Sequence, residues 1–104
     1  MWQFDQKIVL VTGGSSGIGE AAAKLFAEQG AIVVIASRGH ENGERVAAEI
    51  SSSGGEALFL PTDVGVEDQV ESTIRAIVDR YGGLDIVFNN AGAGPRGAWH
   101  LSLI

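Results

Sequence analysis

The sequence contains no cysteine, which excludes disulfides and metal sites built on thiolates. Positive charge is also scarce: 7 lysines and arginines stand against 13 aspartates and glutamates, so the formal net charge is -6. Proteins that bind the phosphate backbone of nucleic acids need a basic face, so this composition argues against a nucleic-acid partner. The two histidines, His40 and His100, lack acidic or cysteine companions at ligand spacing, and we expect no metal site.

Long apolar stretches are missing as well. A membrane-spanning helix needs about 20 consecutive apolar residues, and the apolar runs of this chain are far shorter. The first residues, Met1 to Gln6, have neither the basic start nor the apolar core of a signal peptide. We therefore expect at most one domain, no membrane partner and a cytoplasmic location.

What the sequence does contain is a regular alternation of strand and helix signals. Continuous, mostly β-branched apolar runs recur near Ile8, Ile32, Leu58 and Ile86. Runs of this kind are typical of strands buried on both faces of a parallel sheet, and their regular spacing suits repeated strand–helix units.

Apolar residues at helical spacing lie between these runs. The three predicted helix faces are Ile18, Ala22, Leu25 and Phe26; then Val46, Ala47 and Ile50; then Val66, Val70, Ile74, Ile77, Val78 and Tyr81. Glycines end each pattern, at Gly30, at Gly54-Gly55 and at Gly82-Gly83. We expect residues 93–97 to form a loop and residues 99–104 to begin a further helix.

The most informative stretch is Thr12-Gly13-Gly14-Ser15-Ser16-Gly17-Ile18-Gly19, which joins the first strand to the first helix. Gly13 allows a sharp turn, Gly17 allows the backbone to approach a ligand closely, and Gly19 allows the helix to pack tightly on the strand. The amides and dipole at the helix N-terminus favour an anion such as pyrophosphate. The hydroxyls of Ser15 and Ser16 are placed to bond phosphate oxygens, although they could merely solvate the turn.

Two further motifs follow later strands: Asp63-Val64 after the third, and Asn89-Asn90-Ala91-Gly92 after the fourth. With these and the glycine pattern, the chain resembles the short-chain dehydrogenase/reductase family from about Phe4 to Gly92. The resemblance implies an α/β fold: a partial doubly wound parallel sheet of Rossmann type with strand order 3-2-1-4 and helices on both faces. The dinucleotide cofactor would lie at the carboxyl ends of the strands.

The resemblance also implies roles for the later motifs. Asp63 would contact the adenine ring, with the Val64 backbone beside it, unless Asp63 only favours the dipole of the following helix. The backbone from Asn90 to Gly92 would run beside the ribose, unless these are ordinary turn residues.

The end of the second strand bears on cofactor choice. NAD-binding sites usually place an acid there to bond the ribose 2′-hydroxyl, whereas this chain has Ser37 followed by Arg38. A guanidinium matches a phosphate in charge and geometry, so we predict NADP rather than NAD. The complete set of predicted cofactor-binding residues is Gly13, Ser15, Ser16, Gly17, Ile18, Gly19, Ser37, Arg38, Asp63, Val64, Asn90, Ala91 and Gly92.

The family's catalytic Tyr-x-x-x-Lys is absent from this sequence. The one tyrosine, Tyr81, is followed four residues later by Asp85, and the two lysines are Lys7 and Lys24. We therefore expect residues 1–104 to be an incomplete dinucleotide-binding domain with no catalytic residue, inactive alone. The resemblance implies an alcohol or carbonyl substrate for the full-length enzyme. Three interpretations stay open: a fragment of a reductase, a non-catalytic NADP(H)-binding module, and a structural or interaction protein. A homo-oligomer also stays open, because the fourth strand would leave an open apolar edge.

Overall fold

The computed structural model describes residues 4–13, 17–90 and 100–103, the last four through their backbone only. The elements in chain order are β1 (Ile8–Thr12), α1 (Gly17–Glu28), β2 (Ile32–Ser37), α2 (His40–Ser52), β3 (Glu56–Pro61), α3 (Glu67–Tyr81), β4 (Ile86–Asn89) and β5 (His100–Leu103). The sheet order is β3-β2-β1-β4-β5, with β1 to β4 all parallel. The predicted α/β fold with strand order 3-2-1-4 is confirmed.

The last described segment differs from the sequence-based expectation. Residues 100–103 form β5 rather than a helix, and β5 pairs antiparallel with β4, with Ile86 opposite Leu103 and Asn89 opposite His100. The letters His-Leu-Ser-Leu alternate polar and apolar residues, which is the strand period and not the helix period. The prediction of an open β4 edge is therefore also wrong, because β5 supplies hydrogen-bond partners for it.

Two apolar layers lie on opposite faces of the sheet. One layer joins alternate residues of the central strands to α1 and α2: Val9, Val11, Ala23, Ala31, Val33, Ile35, Val46, Ile50, Ile86 and Phe88. The other joins the remaining strand residues to α3: Ile8, Leu10, Val34, Ala36, Ile77 and Leu84. β1 and β2 are buried on both faces, as their continuous apolar runs predicted, whereas the edge strand β3 is only half buried.

Two of the predicted helix faces are confirmed in part. On α1 the predicted Ala22 and Phe26 pack on the apolar layer beside the buried Ala23. The other two predicted residues of this face, Ile18 and Leu25, are 52% and 59% exposed. On α3 the predicted face packs on the second layer through Ile74, Ile77 and Tyr81, whereas Val66 and Val78 are exposed.

The β1–β4 pairing is fixed at its amino-terminal end by a side chain. The backbone amide of Ile8 donates a hydrogen bond of 2.8 Å to the Asp85 carboxylate, and the Asp85 amide donates one of 2.9 Å to the Ile8 carbonyl. Because a shift of one residue would lose both bonds and turn the apolar side chains to the wrong face, this pair defines the register.

α1 and α2 are joined by a closed group of four charged side chains. Lys24 Nζ lies 2.8 Å from Glu20 and 2.6 Å from Glu49, and Arg45 lies 2.9 Å and 3.0 Å from the same two carboxylates. Hydrogen bonds from Arg45 and then Lys24 lower the pKa of Glu20 to about 2. The same two cations, Lys24 first, lower the pKa of Glu49.

None of the three described helices combines the length and the apolar character needed to cross a bilayer. Among the described residues, no three His, Asp or Glu side chains are grouped so as to hold a metal ion.

Candidate cofactor-binding site

The carboxyl ends of β1, β2, β3 and β4 meet at one edge of the sheet because these strands run parallel. The predicted residues in the described ranges follow these four ends: Gly13 after β1, Arg38 after β2, Asp63 after β3 and Asn90 after β4. Parallel α/β sheets bind their ligands in the crevice outside this edge. The topology thus brings residues from four separate motifs to one side of the molecule.

The turn after β1 uses its glycines for two different physical reasons. Gly13 and Gly17 have φ values of 68° and 59°, in the left-handed region that side chains disfavour. A side chain at Gly17 would meet nothing within 4 Å, so its requirement for glycine lies in the backbone angle. The amide of Gly13 donates to the Ala36 carbonyl at 2.8 Å, which holds the turn beside β2. Ser15 and Ser16 lie outside the described residues.

Position 19 requires glycine because the backbone of α1 lies very close to the turn after β1 at this point. A β-carbon at this position would collide with the Gly13 carbonyl oxygen and would lie 2.9 Å from Asn90 Nδ2. The sequence interpretation placed Gly19 against the strand; the structure shows that its nearest neighbours are the turn after β1 and the residue after β4. Because Gly19 has no side chain, the first turn of α1 can lie directly against Gly13 in the turn after β1.

Thr12 joins the turn after β1 to the end of β4. Its hydroxyl donates to Asn89 Oδ1 at 2.8 Å and accepts from the Asn90 amide at 3.0 Å. The Asn90 side chain in turn donates to the Gly13 carbonyl at 3.4 Å. Thr12 was not among the site residues predicted from the sequence. One feature could have indicated it: Thr12 is a polar residue at the end of an otherwise apolar strand, immediately before the glycine turn.

The end of β2 presents an unpaired polar group next to a cation. Ser37 is 8% exposed, and in the described part of the chain its hydroxyl has no hydrogen-bond partner. Arg38 is exposed immediately after it. The N-cap of α2 is Gly39, so no side chain caps the first turn of that helix. A serine hydroxyl, a guanidinium and an uncapped helix N-terminus all favour an anion.

Asp63 shapes the loop between β3 and α3. Its carboxylate accepts a hydrogen bond of 3.0 Å from the Gly65 amide, and its own amide donates one of 2.7 Å to the Gln69 side chain. The buried Thr62 before it bonds Thr73 of α3 at 2.6 Å. This part of the edge is a fixed turn in which Asp63 and Val64 are half-buried. The predicted Ala91 and Gly92 lie outside the described residues.

Two surface grooves lie away from this edge, and none of the predicted site residues lines them. One, of about 580 Å³, is bounded by α1 and the end of α2. The other, of about 780 Å³, lies near the amino-terminal edge of β2 and β3. In the first groove Lys24 and Arg45 are already paired with carboxylates, so neither is free to bind an anion.

Comparison with known proteins agrees with this geometry. The sequence profile of the short chain dehydrogenases matches residues 7–102. The chain belongs to the short-chain dehydrogenase family.

Individual members of the family are similar over most of this chain. It is 45% identical over 92 residues, 88% of its length, to the 3beta-hydroxysteroid dehydrogenase of Mediterraneibacter gnavus, and covers 33% of that protein. It is 46% identical over 86 residues to the 2,5-dichloro-2,5-cyclohexadiene-1,4-diol dehydrogenase LinX of Sphingobium indicum, which is 83% of this chain and 34% of LinX.

The crystal structure of a hydroxysteroid dehydrogenase from Escherichia coli superposes with a TM-score of 0.83 at 31% identity, over 86% of this chain and 38% of that one. The chain therefore spans about a third of the length of the curated relatives it matches. Family members of this type use NAD(P) as cofactor.

Proposed function

We propose that this chain is the NADP(H)-binding part of a short-chain dehydrogenase/reductase that acts on an alcohol or a carbonyl compound. The observation that carries the proposal is the end of β2, where Ser37 and Arg38 stand in place of an acid. A carboxylate there would repel a 2′-phosphate, whereas a guanidinium attracts it. Leaving the buried Ser37 hydroxyl unpaired is unfavourable by about 1–3 kcal/mol, which a phosphate oxygen as partner would offset.

The turn after β1 supports the same proposal. Gly13 and Gly17 allow its left-handed backbone, and the absence of a side chain at Gly19 lets α1 begin directly against it. The pyrophosphate would lie at the N-terminus of α1, where amides and the helix dipole favour negative charge. Thr12 and Asn90 would hold the turn after β1 and the end of β4 in one fixed arrangement.

The bound nicotinamide supplies the hydride acceptor or donor of the reaction. This sequence contributes binding and orientation and holds no Tyr-x-x-x-Lys, so it offers no tyrosine–lysine pair for the proton transfer. General acid–base assistance of that kind is typically worth 10²–10⁴-fold in rate. On this proposal the proton-transfer groups of the complete enzyme lie outside the sequence described.

A second candidate is a module that binds NADP(H) without turning it over. This function would need the glycine turn and the end of β2 but no tyrosine–lysine pair. The two candidates share the cofactor site and differ only in whether catalytic groups accompany it.

Cofactor titration tests the shared site. We expect the unmodified chain to bind NADPH more tightly than NADH, and Arg38→Asp to weaken NADPH binding by about 10- to 100-fold. NADH binding should change little, because NADH carries no 2′-phosphate. The control is Arg75→Asp, which makes the same charge change on the exposed face of α3. Equal affinity of the unmodified chain for both cofactors, or equal effects of the two substitutions, would reject the NADP assignment.

A further inference from the structure

Gly43 lies inside α2, where a glycine needs a physical reason. In a helix interior glycine loses more conformational freedom on folding than alanine does, and it destabilises the helix. The reason at this position is steric: a β-carbon on Gly43 would collide with the ring of Phe59 on β3. The ring takes the space that a side chain would fill, so α2 lies directly on β3 at this point.

Phe59 also contacts the residue with which α2 begins. Its ring centroid lies 5.7 Å from that of His40, and the two rings meet edge to face at an angle of 72°. The amide of Gly43 donates to the Gly39 carbonyl at 2.8 Å, which closes the first turn of the helix around His40. One ring therefore contacts this turn at both of its ends.

The first turn of α2 lacks a side-chain cap that could hold it in place. Its N-cap is Gly39, whereas serine, threonine, aspartate or asparagine at an N-cap would bond an amide of the turn. The ring of Phe59 supports the turn from the sheet instead. Only Arg38 and Gly39 separate α2 from β2, so the position of this turn determines where Arg38 stands.

The Ser37 hydroxyl lies on the same face of the sheet as the Phe59 ring. Phe59 is opposite Ile35 in the parallel register of β2 and β3, and Ser37 follows Ile35 by two residues. Because side chains alternate along a strand, all three point to the face that α2 covers. The contact between Phe59 and α2 is thus built beside the buried hydroxyl that has no hydrogen-bond partner among the described residues.

We propose that Phe59 is a positioning residue for the preference between the two nicotinamide cofactors. Through Gly43 and His40 it fixes the first turn of α2. That turn holds Arg38 and the unpaired amides of the helix N-terminus, which are the groups that would meet a 2′-phosphate beside Ser37. A guanidinium held in place beforehand binds more tightly, because less freedom is lost on binding. The inference rests on the proposed NADP(H) site and adds a residue that acts on it without touching the cofactor.

Titration with NADPH and with NADH tests the inference through the ratio of the two dissociation constants. A variant that only unfolds more easily weakens both cofactors by the same factor and leaves this ratio unchanged. Phe59→Leu loosens the contact and should reduce the NADPH preference by about 3- to 10-fold, which is part of the effect of losing a bond to a charged group. Gly43→Ala, which places a methyl group where the ring lies, should reduce the preference by a similar factor.

The matched control is Phe26→Leu, the same substitution in the same apolar layer but on α1. Phe26 packs on the rings of Phe4 and Phe88, so its ratio should stay within about twofold of that of the unmodified chain. A double variant, Phe59→Leu with Gly43→Ala, should lose no more preference than the larger single loss, because both changes act on one contact. Circular dichroism checks that each variant is folded, and Gly43→Ala carries the test if Phe59→Leu is not.

The outcomes separate this inference from the cofactor assignment on which it rests. An NADPH preference that Phe59→Leu and Gly43→Ala both leave unchanged overturns the inference and leaves the NADP assignment in place. An equal reduction in Phe26→Leu overturns it as well, since the effect would then belong to the whole apolar layer. Equal binding of NADPH and NADH by the unmodified chain rejects the NADP assignment itself, and the inference falls with it.

Discussion

Gly19 shows at the scale of one residue why this turn tolerates no side chain. An added β-carbon would meet the backbone carbonyl of Gly13, which moves less easily than the end of a side chain. The resulting overpacking typically costs about 1–3 kcal/mol. Alanine in place of a helical glycine stabilises by about 1 kcal/mol through helix propensity, so the two effects oppose each other and the steric one is the larger.

We therefore predict that Gly19→Ala lowers the free energy of unfolding by about 1 kcal/mol or more and weakens NADPH binding. The control is Gly83→Ala, where a β-carbon meets nothing within 4 Å and the backbone is not left-handed. That change should be neutral or stabilising by up to about 1 kcal/mol. Denaturant unfolding and cofactor titration of both variants measure the contrast, and equal stabilities would contradict the close approach.

Thr12 provides the second prediction at this scale. Its hydroxyl bonds both Asn89 and Asn90, and valine would keep its shape while leaving both partners unsatisfied. Thr12→Val should lower the free energy of unfolding by about 1–3 kcal/mol, whereas Thr12→Ser, which keeps the hydroxyl, should retain most of the stability. If Val and Ser variants unfold at the same denaturant concentration, the link between the β1 turn and β4 contributes nothing measurable.

The placement of the motif residues at one edge of the sheet was predictable, because each motif follows a strand and parallel strands bring their carboxyl ends together. Gly13 and Asn90 illustrate this. Their motifs are far apart in the sequence, yet the Asn90 side chain donates a hydrogen bond to the Gly13 carbonyl. The hydroxyl of Thr12 was not predictable, because its partners become neighbours only when β1 pairs with β4. The unpaired state of the Ser37 hydroxyl likewise depends on the packing around it.

At the scale of helices and strands, local sequence patterns predict the elements but not all of their contacts. The three helices and the four parallel strands were predicted from the period of the apolar residues and the positions of the glycines. The face that α1 turns to the sheet follows only in part: Ala22 and Phe26 pack on the core as predicted, together with Ala23. The predicted Ile18 and Leu25 are exposed instead. Residues 100–103 were predicted to be helical although they alternate polar and apolar side chains. Four residues are a short pattern, and pairing with β4 decides the outcome.

The ion group between α1 and α2 gives a prediction for acid stability. Arg45, and then Lys24, lower the pKa of Glu20 from 4.5 to about 2 in the folded chain. A lowered pKa means that the folded state favours the carboxylate, so this stabilisation is complete above pH 4.5 and is lost as the pH falls toward about 2. Glu20→Gln removes the ionisable group and should flatten the decrease in unfolding free energy across that interval.

The control for this measurement is Glu28→Gln, which makes the same charge change at an exposed position of the same helix. It should leave the acid dependence close to that of the unmodified chain. Because the four side chains are partly exposed to solvent, added salt should reduce the difference. An unchanged pH profile for Glu20→Gln would show that the ion group does not stabilise the α1–α2 contact.

At the scale of the whole molecule, we propose that cofactor binding does not require the family's catalytic groups. The parallel strands β1 to β4 form one carboxyl edge, and residues 1–104 contain no Tyr-x-x-x-Lys. We predict that purified chain of verified mass shows no NADPH turnover with a panel of ketones and aldehydes, although it binds the cofactor. Steady oxidation of NADPH in this assay, proportional to the amount of chain, would contradict the prediction.

The central claim is that the dinucleotide binds at the carboxyl edge of the parallel strands, and mapping the bound surface by nuclear magnetic resonance tests it most directly. Titration of labelled chain with NADPH should shift the amide signals of residues 17–19, of Ser37 and Arg38, and of Asn90. Signals from the groove between α1 and α2, on the far side from this edge, should stay unchanged. Shifts confined to that groove, or no shifts at saturating NADPH, would contradict the account.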